Sequence, residues 1–119
     1  MDTKNLLTLA RMSALKTWAI LERQHGVMPF PDFALSNRFT KTAGCCYMAD
    51  NRIVLGTKFL AQFPVEMFSI IIPHELCHQV DFNKNGTPKN NRWHGVSWQK
   101  IMVNYGLPAD TYHHLELKK

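Results

Sequence analysis

Apolar residues recur at helical spacing along the start of the chain, where Leu7, Ala10, Ala14, Trp18 and Leu21 share one stripe. The pattern predicts a helix over residues 3–24, with Thr3 as its N-cap and His25-Gly26 as its stop. Leu9 and Ile20 fall on the opposite side, so this helix is expected to be covered on both faces or to meet a partner. His25 reads as a helix-end residue, since nothing near it in sequence completes a site. Pro29 and Pro31 mark a turn, after which the period shortens to two. Phe33, Leu35 and Phe39 then share one face, predicting a strand over residues 33–40. Residues 44–49 and 52–55 read as a hairpin around Asp50-Asn51, a pair that accepts the positive φ of a tight turn. The expected sheet is three-stranded and antiparallel, with Cys45 and Cys46 on opposite faces in packing roles.

The second half is again helical. Residues 57–62 predict a short helix ended by Phe63-Pro64, and a longer one starts near Val65. In the longer helix Phe68, Ile70, Ile71, Ile72, Leu76 and Val80 cover most of the circumference, the pattern of a buried helix. Pro73 interrupts it, because proline lacks a donor and crowds the preceding turn, so a kink is expected just before His74. Trp98, Ile101, Met102 and Tyr105 repeat at helical spacing and Gly106 supplies a stop, which places His94 at the start of a last helix.

The buried helix carries His-Glu-x-x-His at His74, Glu75 and His78. Residues four apart on a helix share a face, so both imidazoles reach one metal ion. Glu75 lies about 100° around the axis, off the ligand line but near enough to hold a water. The bland alternative is a core helix with two incidental histidines. It is disfavoured because a buried helix tolerates His, Glu and His only when they are paired or coordinated. A catalytic zinc uses three protein ligands and keeps one open position, and His94 is the best third ligand in the chain. Cys77 points about 100° away from His78 and reads as packing. Asp81 is a weaker candidate, as a carboxylate that orients a ligand imidazole.

These residues resemble the SprT-like zinc metallopeptidases, whose animal relative is the DNA-protein crosslink protease Spartan. The likeness rests on Ile-Ile-Pro-His-Glu-Leu-Cys-His at 71–78, His-Gly-x-x-Trp at 94–98 and Gly-Leu-Pro-Ala-Asp-Thr-Tyr-His at 106–113. Upstream, Asn37-Arg38, Thr42-Ala43-Gly44 and Ile53-Val54-Leu55 resemble the strand region before the family's metal helix. The resemblance covers residues 33–114 and implies His74, His78 and His94 as zinc ligands and Glu75 as catalytic base. It also implies an α+β, zincin-like minimal metalloprotease fold. One departure is that bacterial SprT proteins commonly carry a cysteine-rich zinc ribbon after the protease core, whereas this sequence has no Cys-x-x-Cys. A minimal form without the ribbon is therefore expected.

Composition narrows the setting. The chain has 119 residues, enough for one domain over residues 1–119 with a modest core. It is 45% hydrophobic and 19% charged, which argues against disorder, and no apolar run is long enough to span a membrane. Three cysteines make no disulfide framework, and the N-terminus has no signal-peptide pattern, so a reducing cytoplasm, with nucleoid association as an extension, is expected. The net charge of +5 permits nucleic-acid binding. Lys84, Lys89 and Arg92 are the candidate contacts, weighed against an ordinary solvated loop.

The activity expected is peptide hydrolysis by a zinc-bound water that Glu75 deprotonates, the proton passing on to the leaving amine. Tyr112, His113 and Arg38 are the candidate stabilisers of the oxyanion, and the choice among them stays open. One sheet edge is expected to bind extended substrate by strand addition. The partners expected are a protein substrate and DNA or proteins crosslinked to it, with the protein itself a monomer. Two rivals remain at this level: a DNA-binding module with a closed, four-ligand structural zinc, and a non-peptidase zinc amide hydrolase with a narrow pocket.

Overall fold

The first helix, α1 (Thr3–His25), is capped by Asp2, whose side chain accepts a 2.9 Å hydrogen bond from the Asn5 amide. The cap is thus one residue earlier than expected, and Thr3 is the first helical residue. Leu6, Ala10, Ala14, Trp18 and Leu21 are buried, whereas Leu9 and Ile20 stay exposed on the outer side. The structure, a computed structural model, describes residues 2–87, 93–109 and 115–117. Among these, no helix is long and apolar enough to cross a membrane.

Three strands follow: β1 (Asp32–Ser36), β2 (Gly44–Tyr47) and β3 (Arg52–Gly56), in the order β1-β3-β2. β2 and β3 form the expected antiparallel hairpin, joined by a 3-10 turn (Met48–Asp50) and by Asn51, the one described non-glycine residue with positive φ. The pairing of β1 corrects the antiparallel expectation, because β1 runs parallel to β3. The reason lies in the connection. Ser36 pairs with Gly56 and Gly44 with Leu55, so β1 ends and β2 begins at the same end of β3. Residues 37–43 cross that end of the sheet, and the strand that returns through the middle is then parallel to β1. A directly consecutive parallel pair would need a long crossover; here the hairpin serves as the connection. β1 is also shorter than its alternation suggested, and Phe39 belongs to the crossing segment.

Gly56 lies close under that crossing. Its amide donates to the Ala43 carbonyl at 2.8 Å. A β-carbon there would stand 2.8 Å from Phe59 Cδ2 and 3.2 Å from Phe39 Cβ. Phe59 is itself buried and cannot retreat. Gly56→Ala is therefore expected to destabilise the fold by about 1–3 kcal/mol, the usual cost of overpacking, measured as a lower urea midpoint at unchanged slope.

α2 (Thr57–Gln62) leads through Phe63 into one long helical run composed of α3 (Pro64–Glu66), a π-helical turn (Met67–Ile71) and α4 (Ile72–Asn85). The π-turn is the form the expected distortion takes. Pro73 cannot donate to the Ser69 carbonyl and its ring crowds it. Widening the preceding turn, with the Ile72 amide bonded to the Met67 carbonyl, relieves that crowding. The last helix, α5 (Val96–Tyr105), ends at Gly106.

The core lies between the helices and one sheet face. Phe33, Ile53 and Cys46 form one cross-strand row, and Leu35, Leu55 and Gly44 the next. α1 packs over β1 and α4 over β2, with α5 against α4. α4 is buried nearly all round from Ile72 to Asp81, whereas Ile70, expected inside, is exposed.

Candidate metal centre

Because α4 is pinned between the sheet, α1 and α5, its polar residues have fixed directions. His74 and His78 stand one turn apart, with ring centroids at 5.0 Å. His94 faces them from the turn before α5, its centroid 5.4 Å from His74 and 4.7 Å from His78. One ligand atom from each of the three lies within 4.8 Å of the other two. The three could hold one metal ion. His94 is not the first residue of α5, as expected, but two residues before it, with Gly95 as N-cap. The Gln99 side chain donates to the His94 carbonyl at 2.9 Å and fastens this turn to the helix.

The donor chemistry fits a zinc-type ion. A metal needs unprotonated nitrogen, and burial together with the neighbouring His74 and His94 lowers the pKa of His78 to about 3. Burial lowers that of His94 as well. Both rings are therefore neutral and carry a lone pair at physiological pH. Three imidazoles with no sulfur among them match a site that retains an open position.

Trp98, which the sequence shows as a core residue of α5 and as the last residue of the His-Gly-x-x-Trp motif, packs against this centre. Its indole ring lies 4.8 Å from His74, 4.9 Å from His78 and 4.8 Å from His94, nearly parallel to His78 at 14°. Its Nε1–H donates to the His74 carbonyl at 3.5 Å. The spacing of His94 and Trp98, one helical turn, was the available signal.

The histidines open onto a cleft of about 360 Å³ whose walls include Gly44, Cys45, Met48, Ile71, Glu75 and Trp93. Glu75 is 7% exposed, and burial pushes its carboxyl up to about 8 in the metal-free protein. Its stem fits because β2 begins with glycine: a β-carbon on Gly44 would sit 3.3 Å from Glu75 Cγ and 3.2 Å from Ile71 Cγ2. Gln79, buried on α4, locks the hairpin to the metal helix. It donates to the Met48 carbonyl at 3.0 Å and to Asn83 Oδ1 at 2.9 Å, and accepts from the Cys46 thiol at 3.4 Å. In the sequence Gly44 shows only as part of the strand-region resemblance and Gln79 not at all, because each acts through a contact made on folding.

The two opposed shifts predict the pH dependence of the metal-free fold. His78 folds with a lowered pKa, so the unfolded chain binds the extra proton between about pH 3 and 6.5, and stability is lost as pH falls through that window. Glu75 folds with a raised pKa, so the folded chain binds the extra proton between about pH 4.5 and 8, and stability is lost as pH rises through that window. Between about pH 4.5 and 6.5 the slopes oppose each other. The melting temperature of the metal-free protein is expected to be highest there and to fall on both sides, with Glu75→Gln removing the alkaline decline.

The remaining candidates are placed elsewhere or undescribed. Arg38 is exposed on the crossing segment, its amide bonded to Ser36 Oγ, and it does not line the cleft. Lys84 sits at the end of α4, its Nζ 3.0 Å from His25 Nδ1, where it ties the ends of α1 and α4 together. Asp81 accepts from Asn85 at 2.8 Å. Lys89, Arg92, Tyr112 and His113 lie outside the described residues. Cys46 and Cys77 are buried with their thiols pushed up by burial, in keeping with packing roles.

Comparison with known proteins bears on this geometry. The SprT-like family matches residues 17–113. Protein SprT of Actinobacillus succinogenes is 36% identical over 77 residues, which cover 64% of this chain and 44% of that protein. Protein SprT of Glaesserella parasuis is 31% identical over 74 residues, covering 61% of this chain and 46% of that one. The chain thus spans less than half the length of these curated relatives. No solved structure matches at a significant level. The family match takes in the sheet, the metal helix, all three histidines and α5, and on that extent the chain belongs to the SprT-like family.

Proposed function

We propose that the protein is a zinc-dependent endopeptidase that cleaves extended polypeptide in the cleft beside β2. The observation that carries this reading is the convergence of three imidazoles and a buried carboxyl group, that of Glu75, on a cleft walled by an edge strand. A zinc ion held by His74, His78 and His94 would supply Lewis acidity, making a water nucleophilic near neutral pH and polarising a carbonyl. The chain's own residues do the rest. Glu75 takes the proton of the attacking water and returns it to the leaving amine, the role of a positioned general base and then acid. Among the described residues β2 is paired on one side only, so its other edge offers amides and carbonyls to a substrate strand. Gly44 keeps the start of that strand close to Glu75 without displacing it.

The edge strand supports a peptidase over a small-molecule amide hydrolase, for which a closed pocket is expected. Three converging donors among the described residues, with no fourth, favour it over a structural zinc module. The net charge of +5 extends the reading to proteins held on nucleic acid. Zinc-loaded protein is expected to cleave an unfolded basic protein, to stop on chelation and to resume when zinc is restored; adding single-stranded DNA tests the extension. Failure to cleave any unfolded protein while holding one zinc per chain would remove the peptidase reading.

A further inference from the structure

We propose that Trp98 is the positioning residue of the metal centre: its indole closes the buried side of the three-histidine site and leaves the Glu75 side as the direction open to a fourth donor. This rests on the reading of His74, His78 and His94 as metal ligands.

The three ligand rings come from two elements, α4 and the turn before α5, yet all contact one indole at 4.8–4.9 Å between centroids. The histidines line the cleft, whereas Trp98 is fully buried and does not. The indole therefore stands behind the imidazoles, away from the cleft. It touches His78 as a near-parallel plate and meets the other two rings at steep angles, so one flat surface restricts the tilt of all three. Its N–H ties it to the backbone of His74 itself. Being four residues after His94, it also makes the third ligand and the floor a single unit of the α5 end.

Metal-ligating imidazoles are held in orientation by outer contacts, whose loss costs about 10- to 100-fold in metal affinity. An aromatic plate adds exclusion: with it in place, no water approaches the metal from the core side. A branched aliphatic side chain fills part of the same volume but neither restrains ring tilt nor seals the gap between the three rings.

The test compares wild type, Trp98→Phe and Trp98→Leu, each loaded with cobalt(II), whose visible absorption reports coordination number, and each titrated with zinc against a competing chelator. Melting of the metal-free proteins establishes which are folded. Trp98→Phe is expected to keep the wild-type cobalt spectrum and to bind zinc within about threefold. Trp98→Leu is expected to bind zinc about 10- to 100-fold more weakly and to give the weaker bands of a higher coordination number. A folded Trp98→Leu with the wild-type spectrum and affinity would overturn the proposal. If Trp98→Leu does not fold, Trp98→Phe decides: a wild-type spectrum supports the plate, and bands of higher coordination number overturn it. Absence of metal binding by wild type would overturn the ligand assignment underneath, a result distinct from either.

Discussion

Glu75→Gln is expected to lower the cleavage rate by about 10²- to 10⁴-fold, the span for loss of a positioned general base, while metal affinity stays unchanged. The amide keeps the shape of the side chain in a position with no room to spare, since Gly44 already lies against its stem. What it removes is the proton acceptor. A second, opposite effect should accompany the loss. Burial disfavours the Glu75 carboxylate in the metal-free fold, so a neutral isostere removes that cost. The metal-free variant should be more stable than wild type at pH 8, by on the order of 1–4 kcal/mol, in urea unfolding. A variant that is less active and more stable is the signature of a group kept for chemistry. Unchanged cleavage by Glu75→Gln would mean that another residue handles the proton.

His94→Ala has the second largest expected effect, on metal affinity. Removing one of three protein donors should weaken zinc binding by well over the roughly 100-fold upper range for losing an outer contact, with cleavage lost in parallel. The fold should survive, because His94 precedes α5 and is only half-buried. His25→Ala is the matched control: this histidine contacts Lys84 at the far end of α4, and its removal should leave zinc binding as in wild type. Competition with a chromophoric chelator measures both. Equal affinities for the two variants would take His94 out of the site.

The parts of this protein legible in its sequence are those in which local pattern and chemistry coincide. His74 and His78 announce their shared face through a four-residue spacing, and the hairpin through Asp50-Asn51 between two short apolar runs. Pro73 signals a distortion whose form, a π-turn, depends on how α4 must sit against the sheet. The direction of β1 was not legible, because alternation is the same in parallel and antiparallel strands; what decides it is the crossing of residues 37–43 over Gly56. Position in space is the missing quantity again for Trp98, Gln79 and Gly44. A tryptophan at helical spacing reads as core, which it is, and only the fold brings three histidines onto its face. Asp2 took the cap from Thr3 because an aspartate one residue earlier already reaches the Asn5 amide.

The central claim is that one metal ion sits on three histidines with a position left open beside Glu75. X-ray absorption at the zinc edge, on protein loaded with one equivalent, tests it most directly. The expected first shell is three imidazole nitrogens and one further light atom, with sulfur absent, and that light atom should be exchangeable for an added small anion. A shell of four protein donors that no added anion disturbs would mean a closed structural zinc, and would contradict the account.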